Sequence, residues 1–462
     1  MDGVCLHAAL ILTFVAFEPE LLKLMKSILQ KWPLLLAVAV GGTLVLPVKG
    51  QEKPSVAVTN ALSLESAIRV ALENNPELRA SGARVDAAAG RAYQAKKWSN
   101  PELEFSAEDW PVSKGRGFSD AKQTIGIAQT LPYPGKKSLD KQMGGAGVKL
   151  SEAELAMRRT ELVRDVKAGF FRVLASERLV EVSTQLVAVA ESSATTARKR
   201  VDAGAAAYQE QLRAEVQLEQ ARTELTGFQR ELATARQVFV TILGRPELKD
   251  VSLSGALAEV PDASLMEDAG AERLAKHPSA AAAQVNLDRA QLANRRARLE
   301  PYPDVKVGVS GGRVGESDQS IIQLGFSLPL PLIDRGKGKQ QEARANVSVA
   351  EAELHAVQQQ LQREWANALK RYRTAAEQVA NYRERILPKA GEALRLVQTG
   401  FEQGKFNFID LVDTQRTTAE VRLAYQQKLL EMNVARAELE ALLAPNPAAL
   451  KSAPATQSQT KP

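Results

Sequence analysis

The sequence predicts a mostly α-helical chain with a small membrane β-barrel portion: a tandem repeat of long coiled-coil helices that carries four strands per protomer. Three observations predict it. First, the chain contains its own copy. Pro76 in Asn74-Asn75-Pro76-Glu77 and Pro278 in Lys276-His277-Pro278-Ser279 stand 202 positions apart, as do Pro101 and Pro303. Gly204 and Gly404 stand 200 apart, each followed by a helical run, and Ile242-Leu243 answers Leu442-Leu443 at the same spacing. Second, each copy changes its hydrophobic period from helix-like to alternating and back. Third, each copy holds a helical run of roughly 65 residues, near 100 Å long at 1.5 Å per residue. A unit of this size is far too long for a solenoid repeat, so the chain consists of two large supersecondary blocks.

Composition supports long helices over ordinary globules. Ala, Leu, Glu, Gln, Arg and Lys dominate, 5% of residues are aromatic and 25% charged. The net charge of +6 is spread along helix faces with no basic block, which argues against a nucleic-acid partner. Residues 1–50 read as a signal peptide region. Lys26 and Lys31 precede the apolar run Pro33–Leu46, Val48-Lys49-Gly50 ends it, and Met25 is the expected true start. The single cysteine, Cys5, lies upstream of that cleavage point. The mature chain then has no thiolate metal site and no lipid-bearing cysteine.

The first structural repeat spans 61–250, after a linker at 51–60. Leu62–Leu72 and Glu77–Trp98 read as helices split by Asn74-Asn75-Pro76, with Ser63 as a start signal. Strands follow at about 102–110 and 122–131, where Leu103, Phe105, Ile125 and Ile127 alternate with polar or small residues. Pro132-Tyr133-Pro134-Gly135 ends the pair, and Gly144, Gly145 and Gly147 weaken the start of the long helix Lys137–Asp202. A linker at 251–263 leads to the second repeat, 264–444. Its strands lie at about 304–311 and 320–328, with a glycine-rich loop between them, and its long helix runs from Lys339 to Glu402. Pro388 should kink that helix. Leu162, Val166, Gly169 and Val173 in one run, and Leu361, Trp365, Ala368, Tyr372, Ala376 and Val379 in the other, form seams. The tail, 445–462, reads as disordered.

Four amphipathic strands cannot close a barrel, for which about eight is the practical minimum. Left open they would expose backbone edges that lipid does not tolerate. Copies of the chain must therefore associate, with every helix leaving from one side of the barrel. Two copies bring eight strands, three bring twelve and four bring sixteen.

The tandem repeat, the strand hairpins and the turns at Gly204 and Gly404 resemble the TolC family of outer-membrane efflux channels over nearly all of residues 60–444. Asn100-Pro101-Glu102-Leu103, Gly126-Ile127-Ala128-Gln129-Thr130-Leu131 and Ser327-Leu328-Pro329-Leu330-Pro331 resemble its heavy-metal branch, the cobalt–zinc–cadmium and copper–silver type. The resemblance implies a homotrimer whose twelve-stranded barrel sits in outer-membrane lipid above a periplasmic helical tunnel. It implies docking, through the turns at Gly204 and Gly404, to a periplasmic adaptor (membrane fusion) protein. It also implies an inner-membrane proton-driven pump of the RND type, and no enzymatic activity or cofactor. Two alternatives stay open: a drug or type I protein export channel of the same fold, and a structural trimeric coiled-coil surface protein.

Asp410 and Asp413 are the leading site candidates. Three apart, they share one helix face just beyond the turn at Gly404. In a trimer they would ring the tunnel mouth with carboxylates, and they match the acidic pair of the family's periplasmic aperture. A plainer reading is helix capping, with Asn407 as N-cap and Asp410 three residues on. Glu210 and Arg213, in the equivalent stretch of the first repeat, are possible aperture partners, with Arg213 bridging to Asp410 or Asp413. His277 and His355 lie far apart and offer no metal-ligand spacing. Trp110 fits an aromatic girdle, and Trp98 and Trp365 read as interface or core residues.

Overall fold

A computed structural model describes residues 61–109, 118, 121–266, 271–315 and 317–444. The readings made for 1–60, for 445–462 and for Trp110 lie outside the described residues.

In chain order the elements are β1 (Leu62–Ser63), α1 (Leu64–Asn74), α2 (Pro76–Lys96), β2 (Glu102–Glu108), β3 (Lys122–Leu131), α3 (Lys136–Asp202), α4 (Tyr208–Leu243) and β4 (Leu253–Ser254). The second half adds α5 (Ala271–Ala275), α6 (Pro278–Ala297), β5 (Val305–Val314), β6 (Gln319–Ser327), α7 (Lys337–Asn381), a π-helical segment (Tyr382–Ile386), α8 (Leu387–Glu402) and α9 (Phe408–Leu442). The fold class read from the sequence is the one observed. None of the described helices is long and apolar enough to cross a membrane.

The four long strands form one antiparallel sheet in the order β2-β3-β5-β6, so the two repeats meet at the β3–β5 seam. Its register aligns apolar residues into rows. Leu103, Ile127, Val309 and Leu324 lie side by side, as do Phe105, Ile125, Gly311 and Ile322. These side chains are exposed, Ile322 by 82% and Leu324 by 86%. The opposite face is small and polar: Ala128, Gly308 and Gly325 in one row, Gly126, Ser310 and Gln323 in the next. β5 runs further than the sequence pattern suggests, through the residues read as a glycine-rich loop. The reason is close approach: a Cβ on Gly312 would collide with the Gln123 carbonyl, so glycine at this register lets β3 and β5 pair.

The helices pack through small residues. α3 is unbroken for 67 residues despite Gly144, Gly145 and Gly147, a correction to the expected weak start. A Cβ on Gly144 would sit 2.9 Å from the Ala92 Cα, so that glycine admits α2 against α3. Val166, Phe170, Phe239, Tyr372, Val379 and Leu439 join helices of both repeats in one buried core. Trp365 is buried in it, whereas Trp98 is 58% exposed. The inter-repeat linker is no loose tether. β4 pairs in parallel with β1. Asn433 accepts from Ala258 N–H at 3.0 Å and donates to its carbonyl at 3.1 Å, and the Tyr372 hydroxyl accepts from Asp262 N–H at 2.7 Å.

Repeat symmetry extends to helix caps. The Asn75 side chain accepts from Glu77 and Leu78 N–H at the start of α2, and donates to the Ile242 carbonyl at 3.0 Å. His277 occupies the matching position before α6, and its Nδ1 accepts from Ser279 N–H at 3.2 Å. His277 is thus a buried cap; His355 is exposed on α7.

Two outcomes follow from this geometry. Leu324→Arg should lower the amount of protein recovered folded in lipid, costing about 2–4 kcal/mol at mid-membrane depth. Gln323→Arg, on the other face, should be tolerated; equal yields of the two variants would refute the face assignment. Burial holds the His277 pKa below its ordinary 6.5, with Glu364 and Glu161 opposing it. The unfolded chain then takes up this proton first, so the stability contributed by neutral His277 is complete above pH 6.5 and is lost as pH falls through the lowered folded value. Thermal melts between about pH 8 and pH 5 should show that slope, and His277→Asn should reduce it.

Candidate functional site: the paired hairpin tips

Two helical hairpins, α3–α4 and α8–α9, turn at Gly204 and Gly404 a helix length away from the sheet. Both glycines are left-handed, with φ of +71° and +70°. Both turns close alike: Ala205 N–H reaches the Arg200 carbonyl at 2.8 Å, and Lys405 N–H the Gly400 carbonyl at 2.7 Å. This pairing back over the glycine satisfies carbonyls that a helix end otherwise leaves bare.

The tips differ in what surrounds the turn. The Phe406 ring lies over Gly400, where any Cβ would strike it. In the first hairpin those positions hold Arg200 and Ala206, and the Arg200 guanidinium instead sits 4.9 Å above the Phe401 ring of the second. Phe401 lies 6.0 Å from Phe408, which is buried among Ala190, Ala194, Ala197, Ala214 and Leu218. Ser193 and Gln415 add a 3.2 Å hydrogen bond. One apolar cluster and one cation–π contact thus bind the two tips together. Sequence reading missed the Arg200–Phe401 contact; the Gly400-to-Gly404 spacing was the available signal for the tight second tip.

Asp410 and Asp413 lie exposed in the first two turns of α9. Asp410 completes a capping box: Asn407 accepts from Asp410 N–H at 2.9 Å, and Asp410 Oδ2 accepts from Asn407 N–H at 3.1 Å. The plainer reading therefore describes part of what Asp410 does. Asp410 is nevertheless exposed to solvent. Asp413 pairs with Arg416 one turn on, at 3.2 Å, and both side chains are about two-thirds exposed, so this pair is weak.

Arg213 lines the same crevice as Asp413 and Arg416. Within the chain it forms no ion pair with Asp410 or Asp413, among the described residues; Asp413 pairs with Arg416 instead. Glu210 lies in the first turn of α4, with Oε2 out of water and accepting no hydrogen bond among the described residues. The structure thus gathers Gly204, Gly404, Asp410, Asp413, Glu210 and Arg213 at one end, but does not form the expected Arg213 bridge. No group of three His, Cys, Asp or Glu side chains is arranged to hold a metal ion, among the described residues.

Gly404→Ala forces a Cβ into the left-handed region, which should cost about 1–2 kcal/mol and fray this tip. Amide hydrogen exchange should rise at Gly400–Asp410 and stay unchanged around Gly204. Unchanged exchange at both tips would show that the turn does not depend on its glycine.

The model of the family described as outer membrane efflux protein matches residues 67–245 and 271–444, one segment in each repeat. The cobalt-zinc-cadmium resistance protein CzcC of Cupriavidus metallidurans is 29% identical over 384 residues, covering 83% of this chain and 89% of that protein. The nickel-cobalt-cadmium resistance protein NccC of Alcaligenes xylosoxydans xylosoxydans is 24% identical over 348 residues, 74% and 75% of the two chains. Among solved structures, that of CusC, described in terms of transmembrane channel formation, superposes with a TM-score of 0.71. It covers 83% of this chain and 92% of its own at 16% identity, a likeness of fold.

Proposed function

We infer the cargo, the assembly and the gate from a fixed premise: the chain belongs to the outer membrane efflux protein family and is an efflux channel subunit of the outer membrane. The observation that carries the reading is the sheet, whose apolar rows face outward in an open four-stranded array at the head of helices about 100 Å long.

The assembly is a homotrimer. Three copies bring twelve strands, with β6 of each chain pairing β2 of the next. Outer-membrane lipid covers the rows that contain Leu103, Ile127, Val309 and Leu324, and the helices continue the barrel as a periplasmic tunnel.

The cargo is heavy-metal cations, a reading supported by the cobalt, zinc, cadmium and nickel resistance named for CzcC and NccC. These cations cross without a fixed binding site. A periplasmic adaptor docks on the turns at Gly204 and Gly404, beside the exposed Phe406, Ile409 and Tyr208. An inner-membrane proton-driven pump of the RND type delivers the cargo to it. The family's members are channels, and transport needs no chemistry from this chain.

Asp410 and Asp413 form the periplasmic aperture, six carboxylates in the trimer. Such a ring concentrates cations and opposes anions. Arg213 and Glu210 stand on the neighbouring hairpin, within reach of the ring when the chains converge.

Deleting the gene should make cells sensitive to cobalt, zinc or cadmium. Unchanged metal tolerance with new drug or protein-export defects would turn the reading toward the other cargoes. In planar bilayers, Asp410→Ala with Asp413→Ala should lower cation selectivity and remove block by a trivalent cation. Trimers should still form, because a lost cap costs only about 1 kcal/mol. Lost trimers with unchanged selectivity in surviving channels would leave capping as the sole role.

A further inference from the structure

The small, polar face of the sheet carries a charged group that neither the tips nor the aperture explains. Lys306, on β5, reaches across β3 to two carboxylates on β2. Its Nζ lies 2.8 Å from Glu102 Oε2 and also bonds Glu104. The crossing is possible because the residues beneath are small: Ala128 and Gly308 beside Glu102, Gly126 and Ser310 beside Glu104. Apart from Lys122 with Glu108 at the far end of the strands, these are the charged side chains on this face among the described residues. By the repeat, Lys306 stands where Glu104 stands in the first half, 202 positions earlier.

We propose that Lys306 is a tethered counter-ion that sets the ion selectivity of the barrel and keeps its paired carboxylates Glu102 and Glu104 from trapping divalent cations. This rests on the channel reading, which turns the small, polar face toward the lumen. Two carboxylates converging on one point are a ligand set for a divalent cation. A conduit must bind its cargo weakly enough to release it. The Lys306 ammonium fills that point, at a charge-assisted hydrogen-bond distance from Glu102. It leaves one net negative charge per protomer at this level where the carboxylates alone would leave two. Cations still enter a negative lumen, but the strongest position is already taken.

The test uses purified full-length trimers in planar bilayers under a potassium chloride gradient, with zinc chloride as the probe. Lys306→Gln should move the reversal potential toward that of a cation-selective pore. It should also acquire a zinc block, reversed by EDTA, that the parent channel lacks. Adding Glu102→Gln and Glu104→Gln to that variant should abolish both effects, and Lys306→Arg should behave as the parent. Should Lys306→Gln fail to assemble, Glu102→Gln with Glu104→Gln alone should shift selectivity toward anions. Conducting channels with the parental reversal potential and no new zinc block would overturn the proposal. A parent protein that forms no pore would instead overturn the channel reading on which it rests.

Discussion

Strands β2 and β6 each present one row of backbone N–H and C=O groups without a partner in the chain, among the described residues. In lipid each such group costs several kcal/mol, and no folding of a single copy removes the deficit, because four strands cannot curl onto themselves. The rest of the molecule is consistent with this one constraint. The row Leu103, Ile127, Val309 and Leu324 crosses all four strands and reaches both open edges of the sheet. Both hairpins have their loops at one end and their helices at the other, which leaves the helical end free to extend as a bundle.

Duplication solved half of the problem inside the chain. The β3–β5 seam already joins one repeat to the next by ten register pairs. Divergence then gave the copies separate duties. Asn75 and His277 cap equivalent helices, but only the histidine is a titratable group. Arg200 and Gly400 close equivalent turns; one reaches across to Phe401 and the other accepts Phe406. Glu104 and Lys306 occupy equivalent strand positions with opposite charge, and their pairing binds the two repeats across the sheet.

Most of the architecture was legible because it rests on period and length. The switch from a helical to an alternating pattern located the strands, and Leu361, Trp365, Ala368 and Tyr372 fell on the seam that is buried. What escaped was contact geometry. Gly144 and Gly312 looked like interruptions, yet each marks a place where two backbones approach. A sequence shows a missing Cβ but not the neighbour that needs the space. The candidate site was partly legible for the same reason: Asp410 and Asp413 were visible as a face, whereas the pairing of Asp413 with Arg416 depends on rotamers.

The two hairpins are built with different mechanics. α3 is continuous from the strand turn to its tip. The corresponding rod of the second repeat is interrupted by the π-helical turn Tyr382–Ile386, where Leu387 N–H reaches back to the Tyr382 carbonyl and Pro388 offers no N–H at all. The Arg383 guanidinium donates from this turn to the Glu259 carbonyl at 3.1 Å. One rod is therefore regular throughout and the other carries a change of register, and Asp410 and Asp413 sit on the hairpin with the change. A side chain at the tip of the second hairpin therefore depends on a helical rod whose hydrogen-bond register changes once along its length, whereas its counterpart in the first hairpin depends on one that never changes.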